Sequence, residues 1–292
     1  MRADTRLPPY LPYLRFLLQA DLTQTAKLLY ALLLDRAMLS QANGWLDEGG
    51  RIYLVFSIEK IAAALDRSPM IVKTALSELE ETDWLAAWRQ FFTPVCCGNH
   101  FVVLPPWLAD TQDFPGRTPI LIEPKSAFGT GHHATTALCL RVVSDLLEAG
   151  RLQQGQHFLD LGTGSGVLGI GCCKFGLTGE GLDIDPLAVD NAVENRALNA
   201  IAPENFTVAE GSIGAVAGKQ FDLVLANILA RPLTEMAADI VRACRPGGCL
   251  VLSGLLEIQA DGVTAAYKAQ GLPEPRRIID GEWAALVWDS VK

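Results

Sequence analysis

The stretch Asp160-Leu161-Gly162-Thr163-Gly164-Ser165-Gly166 decides how this chain is read. It follows an apolar run at 157–161 that reads as a strand, and it precedes a helical segment at 167–175. Glycines at such a junction let the backbone turn sharply and approach a ligand closely. That place is the carboxyl edge of a parallel sheet, where folds of this kind hold their ligands. Taken alone, the turn serves a dinucleotide as readily as another nucleoside. Asp183 sits near the end of the next predicted strand, 180–184. A carboxylate there can accept hydrogen bonds from both hydroxyls of a ribose, which fixes a nucleoside but not the chemistry.

Downstream, strands and helices alternate. A helix over 186–199 has Asp185 as N-cap and Pro186 at its first position. Strands follow at 206–209 and 221–226, a helix at 232–244 stopped by Pro246-Gly247-Gly248, and a strand at 249–252. A helix at 257–269 and two late strands, 277–279 and 283–288, complete the chain. Six or seven strands with interleaved helices predict an α/β fold, a doubly wound and mostly parallel sheet ending in an antiparallel hairpin. Asn227 closes the fourth strand in Ala226-Asn227-Ile228-Leu229. An asparagine at a strand end can simply turn a loop. Beside the glycine loop and Asp183 it reads as a site residue, because its amide carbonyl can orient an amine.

Upstream the chain has a different character. Residues 25–39 are apolar at helical spacing through Leu28, Leu29, Leu32 and Leu33. Asn43-Gly44 predicts a turn, 51–56 a strand and 58–65 a short helix. Ser68-Pro69 then starts a second helix that runs to about 79, giving a helix-turn-helix pattern. Residues 84–120 are rich in aromatics and prolines and predict a helix and short strands, with a linker around 110–118. The aromatics Trp84, Trp88, Phe91 and Phe92 are expected to pack against a neighbour rather than stack on a ligand.

Bulk properties narrow the function classes. The chain has 292 residues, half of them apolar, and a net charge of −9, which argues against binding nucleic acid through bulk electrostatics. Its seven cysteines, Cys96, Cys97, Cys139, Cys172, Cys173, Cys244 and Cys249, include no Cys-x-x-Cys spacing. They predict buried free thiols in a reducing compartment, with neither a disulfide framework nor a metal site. Residues 1–10 have no apolar core of a signal peptide, and no apolar run is long enough for a membrane span, so the expected location is the cytoplasm.

The motifs together resemble the PrmA family, the methyltransferases of ribosomal protein L11. The resemblance is carried by Phe128-Gly-Thr-Gly-His-His-Ala-Thr-Thr-Ala-Leu-Cys, the glycine loop, Leu182-Asp-Ile-Asp-Pro, Ala226-Asn-Ile-Leu and Leu252-Ser-Gly-Leu, from about Asp83 onward. It implies a Rossmann-like, seven-stranded class I methyltransferase sheet at 120–292. The implied cofactor is S-adenosyl-L-methionine, and the implied activity is methylation of lysine side chains and an N-terminal amine. The implied cofactor contacts are Thr136, Gly162, Gly164, Asp183 and Asn227, with Asn227 also orienting the acceptor amine. The partner implied is a protein substrate, ribosomal protein L11, and the chain is expected to be a monomer. Two departures lie in the first motif, where His132 and Ala134 stand for the family's threonine and proline. Losing the proline removes a conformational lock ahead of Thr135 and Thr136, and His132 is expected to alter the cofactor cleft.

The family's small ferredoxin-like N-terminal domain is not resembled by residues 22–81. Ala26-Lys-Leu-Leu-Tyr-Ala-Leu-Leu-Leu-Asp-Arg, Asn43-Gly-Trp, Ile52-Tyr and Ala75-Leu-Ser-Glu-Leu-Glu-Glu are similar instead to the winged-helix domain of RepA-type plasmid replication initiators. The expected organisation is a winged-helix-like domain at 1–81, a linker with small strands at 82–119, and the methyltransferase domain at 120–292. Glu78, Glu80 and Glu81 make the second helix a poor reader of phosphates, so the domain is expected to serve protein contacts or to be a folded appendage, with nucleic-acid binding through it left open. Two alternatives stay open at this stage. One is a methyltransferase of the same core with another substrate, and the other is a replication-linked DNA-binding protein with a vestigial core.

Overall fold

The inner strands of the large sheet carry apolar runs, such as 223–226 and 249–252, because both of their faces are covered. Along one strand, Phe158 joins the core on one side while Leu159 and Leu161 join the core on the other. The structure, a computed structural model, describes residues 21–42, 57–81, 93–111, 113–123 and 133–291. The chain divides into two units, Met1–Phe92 and Thr93–Lys292.

In the first unit the described residues form three helices, α1 (Gln24–Ala42), α2 (Ile58–Leu65) and α3 (Pro69–Glu81). Ala26, Leu29 and Leu32 of α1 pack with Ile61 and Ala62 of α2 and with Val72, Ala75 and Leu79 of α3. Ser68 Oγ accepts from the Ile71 amide at 3.4 Å, the cap expected ahead of Pro69. Glu78 of α3 accepts from both the backbone N–H and the hydroxyl of Thr23, at 2.6 and 2.7 Å, and so ties down the start of α1. The expected Asn43-Gly44 turn, the strand at 51–56 and the aromatics from Trp84 to Phe92 lie outside the described residues.

The second unit opens with β1 (Val95–Cys97), β2 (Phe101–Leu104) and β3 (Thr118–Leu121), a three-stranded sheet that is antiparallel and then parallel. Helix α4 (Ala134–Glu148) precedes the large sheet, whose elements are β4 (His157–Leu161), α5 (Val167–Cys173), β5 (Thr178–Asp183), α6 (Pro186–Leu198) and β6 (Phe206–Glu210). β7 (Phe221–Asn227), α7 (Ala230–Glu235), α8 (Ala237–Ala243), β8 (Cys244–Leu256), α9 (Ala260–Lys268), β9 (Arg276–Asp280) and β10 (Trp283–Trp288) follow. Strand order is β6-β5-β4-β7-β8-β10-β9, parallel from β6 to β8 and antiparallel at β10 and β9. Reversal of the strand order beside β4 puts a crevice at the carboxyl ends of β4, β5 and β7, the ligand position of open α/β sheets.

Two elements differ from the sequence reading. The helix expected over 232–244 is two helices, broken at Met236, whose ψ of 9° leaves the helical range. Pro246-Gly247-Gly248 does not sit between a helix and a strand but inside β8. There the register slips, from Phe221 opposite Cys244 to Leu223 opposite Cys249. The resulting bulge is closed by the chain end, since the Gly247 amide donates to the Val291 carbonyl and the Val291 amide to the Gly248 carbonyl. Among the described residues, no helix is long and apolar enough to cross a membrane.

Candidate active site

A cleft of about 580 Å³ lies at the carboxyl edge of β4, β5 and β7. Gly162, Gly164, Asp183 and Asn227, four of the residues singled out in the sequence, line it together. A slightly larger depression of about 640 Å³ runs from Ile213 past Gln220 and Arg242 to Val291. It takes in none of these residues and lies by the amino end of β7, away from the glycine loop.

The glycine loop is held from several sides. The amides of Gly162 and Thr163 donate to the Leu182 carbonyl at 2.8 and 3.0 Å. Gly162 has φ +74°, and a Cβ there would come within 2.2 Å of Ile228 Cγ2, so both conformation and space demand glycine. Behind the loop, Asp160 is fully buried and its Oδ2 accepts from Thr163 Oγ1 at 2.7 Å and the Gly169 amide at 3.1 Å. Its Oδ1 is buried with no hydrogen-bond partner among the described residues. Burial pushes this carboxyl up to about 6, against the pull of those two hydrogen bonds. Asn195 of α6, also fully buried, donates to the Ser165 carbonyl at 2.9 Å and accepts from the Glu123 amide at 3.0 Å. It thereby joins the loop to the chain leaving β3.

Asp183 is partly exposed and pre-oriented. Its Oδ2 accepts from the Gly164 amide at 2.9 Å and its Oδ1 from the Asp185 amide at 3.1 Å. Each oxygen keeps a further lone pair, as a ribose diol requires. Asn227 ends β7. Its Nδ2 donates to Thr136 Oγ1 at 3.4 Å, while its Oδ1 is buried with no partner among the described residues. An orphaned buried acceptor of this kind costs on the order of 1–3 kcal/mol.

Helix α4 begins at Ala134 without the family's proline. His133 is its N-cap and accepts from the Thr135 amide through Nδ1 at 3.4 Å. The same nitrogen lies 2.8 Å from Thr135 Oγ1. Partial burial lowers the imidazole below its usual range, which favours the neutral ring that such a cap needs. The His133 ring also meets Trp283 edge-on at 4.6 Å, joining α4 to the start of β10 across the cleft wall. A helix can therefore start here without the conformational lock of proline. Thr135 lines the cleft, whereas Thr136, 2% exposed, meets the site through Asn227. His132 lies outside the described residues.

Sequence reading did not find His133, Thr135, Gly211, Ser212, Met236, Gly254 and Trp283, all of which line the cleft. Gly211 carried a possible signal, because it directly follows β6 on the same edge. Trp283 carried none, since it reaches the cleft only through the antiparallel pairing of β10 with β8. Of the seven cysteines, all free, Cys96 is exposed and Cys173 half-buried, contrary to the expectation that all are buried. Burial pushes the thiols of Cys97, Cys139, Cys173 and Cys244 up to about 12, so they are packing groups at neutral pH.

Comparison with known proteins agrees with this geometry. Residues 51–290 match the family described as Ribosomal protein L11 methyltransferase (PrmA). A ribosomal protein L11 methyltransferase from Chloroflexus aurantiacus is 40% identical over 235 residues, covering 72% of this chain and 69% of its own. One from Geobacter sulfurreducens is 39% identical over 228 residues, covering 78% and 72%. The crystal structure of a ribosomal protein L11 methylase from Lactobacillus delbrueckii subsp. bulgaricus superposes with a TM-score of 0.59 at 27% identity, covering 67% of this chain and 97% of that one. The chain belongs to the ribosomal protein L11 methyltransferase family.

Proposed function

We propose that this protein uses S-adenosyl-L-methionine to methylate lysine side chains, an N-terminal amine, or both, on ribosomal protein L11. One observation carries the reading: Asn227, at the end of β7, lines the same cleft as Gly162, Gly164 and Asp183. A nicotinamide dinucleotide would use the glycine loop and Asp183 equally well, but it gives Asn227 no task at this edge. An acceptor amine does, because a side-chain amide at the cleft can orient it.

The residues present fit the cofactor. Asp183 would take the ribose hydroxyls, Gly162 and Gly164 would form the backbone cradle, and Thr136 would act at the methionine end beside Asn227. When bound, S-adenosylmethionine supplies an electrophilic methyl group on a sulfonium. The acceptor nitrogen must present a free lone pair, yet a lysine titrates near pH ~10.4 in water. Leu161, Ile228, Pro232 and Met236 make the cleft wall largely apolar, which disfavours the ammonium form. The Asn227 side chain, which lines the cleft, then orients the neutral amine, and alignment contributes much of the acceleration. Among the described residues, no carboxylate other than Asp183 lines the cleft, which suits a reaction driven by positioning. Leu229 and Ile184 at the mouth are exposed, a surface better suited to a protein than to a small acceptor.

We also read residues 1–81 as a winged-helix-like domain similar to that of plasmid replication initiators, 82–119 as a linker with small strands, and 120–292 as the catalytic domain. The three helices described in the first unit favour one second reading, the same chemistry on a different protein. Incubation with tritiated S-adenosylmethionine and purified L11, beside whole-cell lysate, tests both. Label in the L11 band supports the first reading, label confined to another band the second, and no label in any protein overturns both.

A further inference from the structure

We propose that Asn195 is a positioning residue for the cofactor, which holds the Ser165 carbonyl so that the glycine loop stays out of helix α5, and ties that loop to the chain leaving β3. This rests on the reading of the cleft as the S-adenosylmethionine site. Residues 164–166 lie directly before α5, and a helix lengthens when its next amide finds a carbonyl four residues back. In that register the Gly169 amide would donate to the Ser165 carbonyl. Winding on would then draw the turn beside Gly164, which lines the cleft, into the helix.

Two side chains hold the turn in another shape. Asp160 Oδ2 accepts from the Gly169 amide at 3.1 Å, and Asn195 Nδ2 donates to the Ser165 carbonyl at 2.9 Å. Donor and acceptor of the helical bond are thus each satisfied by a side chain. Gly166, which follows Ser165, has φ +80°, a left-handed conformation outside any right-handed helix. Helix α6 brings Asn195 to this place. Ala192, one turn earlier on the same face, would meet a Cβ on Gly166 at 3.2 Å, so helix and loop are in close contact. Asn195 is fully buried, and both ends of its amide are used. Besides Ser165, Nδ2 reaches Asn191 Oδ1 at 3.4 Å, and Oδ1 accepts from the Glu123 amide at 3.0 Å. Asn199, one turn further on, works on β3 alone. Its Oδ1 accepts from the Leu121 amide at 3.0 Å and its Nδ2 donates to the Leu121 carbonyl at 2.6 Å, with no hydrogen bond to the glycine loop.

The two asparagines make a matched test in the full chain. In Asn195→Ala and Asn199→Ala, calorimetry gives the dissociation constant of S-adenosylmethionine and thermal unfolding the melting temperature. Nitrogen-15 NMR follows the Gly164 and Gly166 amides of the cofactor-free protein. Both variants should melt lower, because each loses buried hydrogen bonds. Only Asn195→Ala should shift the two loop amides and weaken cofactor binding, by roughly tenfold if the loop keeps its binding shape about a tenth of the time. Asn199→Ala should stay within about twofold of wild type, because the loop keeps that shape. Asn195→Asp covers a failure of the alanine variant to fold. While protonated, it keeps a donor for Ser165 and an acceptor for Glu123. As its carboxyl ionises with rising pH the donor is lost, so its cofactor affinity relative to wild type should fall. Asp160 and Asp183, the carboxyls bonded to the loop, are common to both proteins, so the ratio is read at each pH. Unchanged affinity in Asn195→Ala, equal losses of affinity in the two alanine variants, or a ratio for Asn195→Asp that is flat with pH overturns the proposal. If the wild-type protein binds no S-adenosylmethionine, the reading of the cleft falls, and the loop amides of Asn195→Ala, shifted or unmoved, still decide whether Asn195 shapes the loop.

Discussion

Asp183 is held by two backbone amides before any ligand arrives, whereas Asn227 lines the cleft at the end of β7. Their removal should therefore be felt at different steps. Asp183→Ala is expected to weaken S-adenosylmethionine binding by roughly 1–3 kcal/mol, the loss of charge-assisted hydrogen bonds to the ribose. Asn227→Ala should lower turnover more than cofactor affinity. Calorimetric titration and steady-state rates separate the two, with NAD as the competing ligand. Saturable NAD binding without S-adenosylmethionine binding would reassign the cleft. Asp160 makes a different statement, about pH. Its carboxyl is raised from 3.8 to about 6 in the folded protein. Between these values the folded chain holds a proton that the unfolded chain has released, so stability falls as pH rises through this window. Above it the full cost of the buried charge remains, on the order of 3 kcal/mol at ~1.4 kcal/mol per pKa unit. Asp160→Asn does not titrate, and thermal unfolding from pH 4 to pH 7 should show wild type losing stability relative to the variant. A constant difference across that range would mean that Asp160 is ionised throughout.

The glycine loop and the Ile228 turn form one interlocked element, since Gly162 leaves no room for a Cβ beside Ile228. Gly162→Ala must relieve that overlap by moving the residue that follows Asn227, and it adds left-handed strain of about 1–2 kcal/mol. Cofactor affinity should fall by at least roughly tenfold. Gly218→Ala is the matched control. It has φ +84° but open space around its Cβ, and it lies outside the cleft, so it should lower the melting temperature and leave affinity intact. Equal losses in both variants would mean that strain alone, not the contact with Ile228, sets the loop. The strand core of this element was readable in advance because both sheet faces are buried, which turns β4, β7 and β10 into apolar runs that polar segments bracket. Asp183 and Asn227 were readable because strand ends are where such sheets expose chemistry. The break at Met236 was not, because methionine is a good helix former and carries no stop signal. The bulge in β8 was misread for the opposite reason. Pro246-Gly247-Gly248 is a strong stop signal, and only its pairing with Val291, far along the chain, keeps it within a strand. His133 and Trp283 escaped likewise, since their contact at 4.6 Å joins parts of the sequence that no local pattern connects.

At the scale of the whole chain, the question is what the first unit does for a methyltransferase. The family match begins at residue 51, so α2 and α3 lie inside it, upstream of the Asp83 boundary taken from the sequence motifs. A helix that reads DNA needs cations along its exposed face, because phosphate contacts dominate the affinity. The exposed face of α3 instead carries Met70 and Ile71, 73% and 45% exposed, with Lys73 as its one basic residue. Glu78 is spent on the start of α1, and the chain as a whole has a net charge of −9. Two exposed apolar side chains in the first turn of α3 with little charge beside them fit a protein partner better than a phosphate backbone. The intact protein is therefore expected to bind mixed-sequence duplex DNA no better than roughly 10⁻⁴ M at physiological salt, the weak end of non-specific affinity. Met70→Glu and Ile71→Glu should raise the KM for the protein substrate several-fold and leave S-adenosylmethionine affinity unchanged, because neither side chain lines the cofactor cleft. Fluorescence anisotropy across a salt series checks the first expectation, and a micromolar signal that falls steeply with salt would make the unit a DNA-binding domain. Steady-state methylation by the two variants checks the second, and an unchanged KM would leave α3 without a part in choosing the substrate.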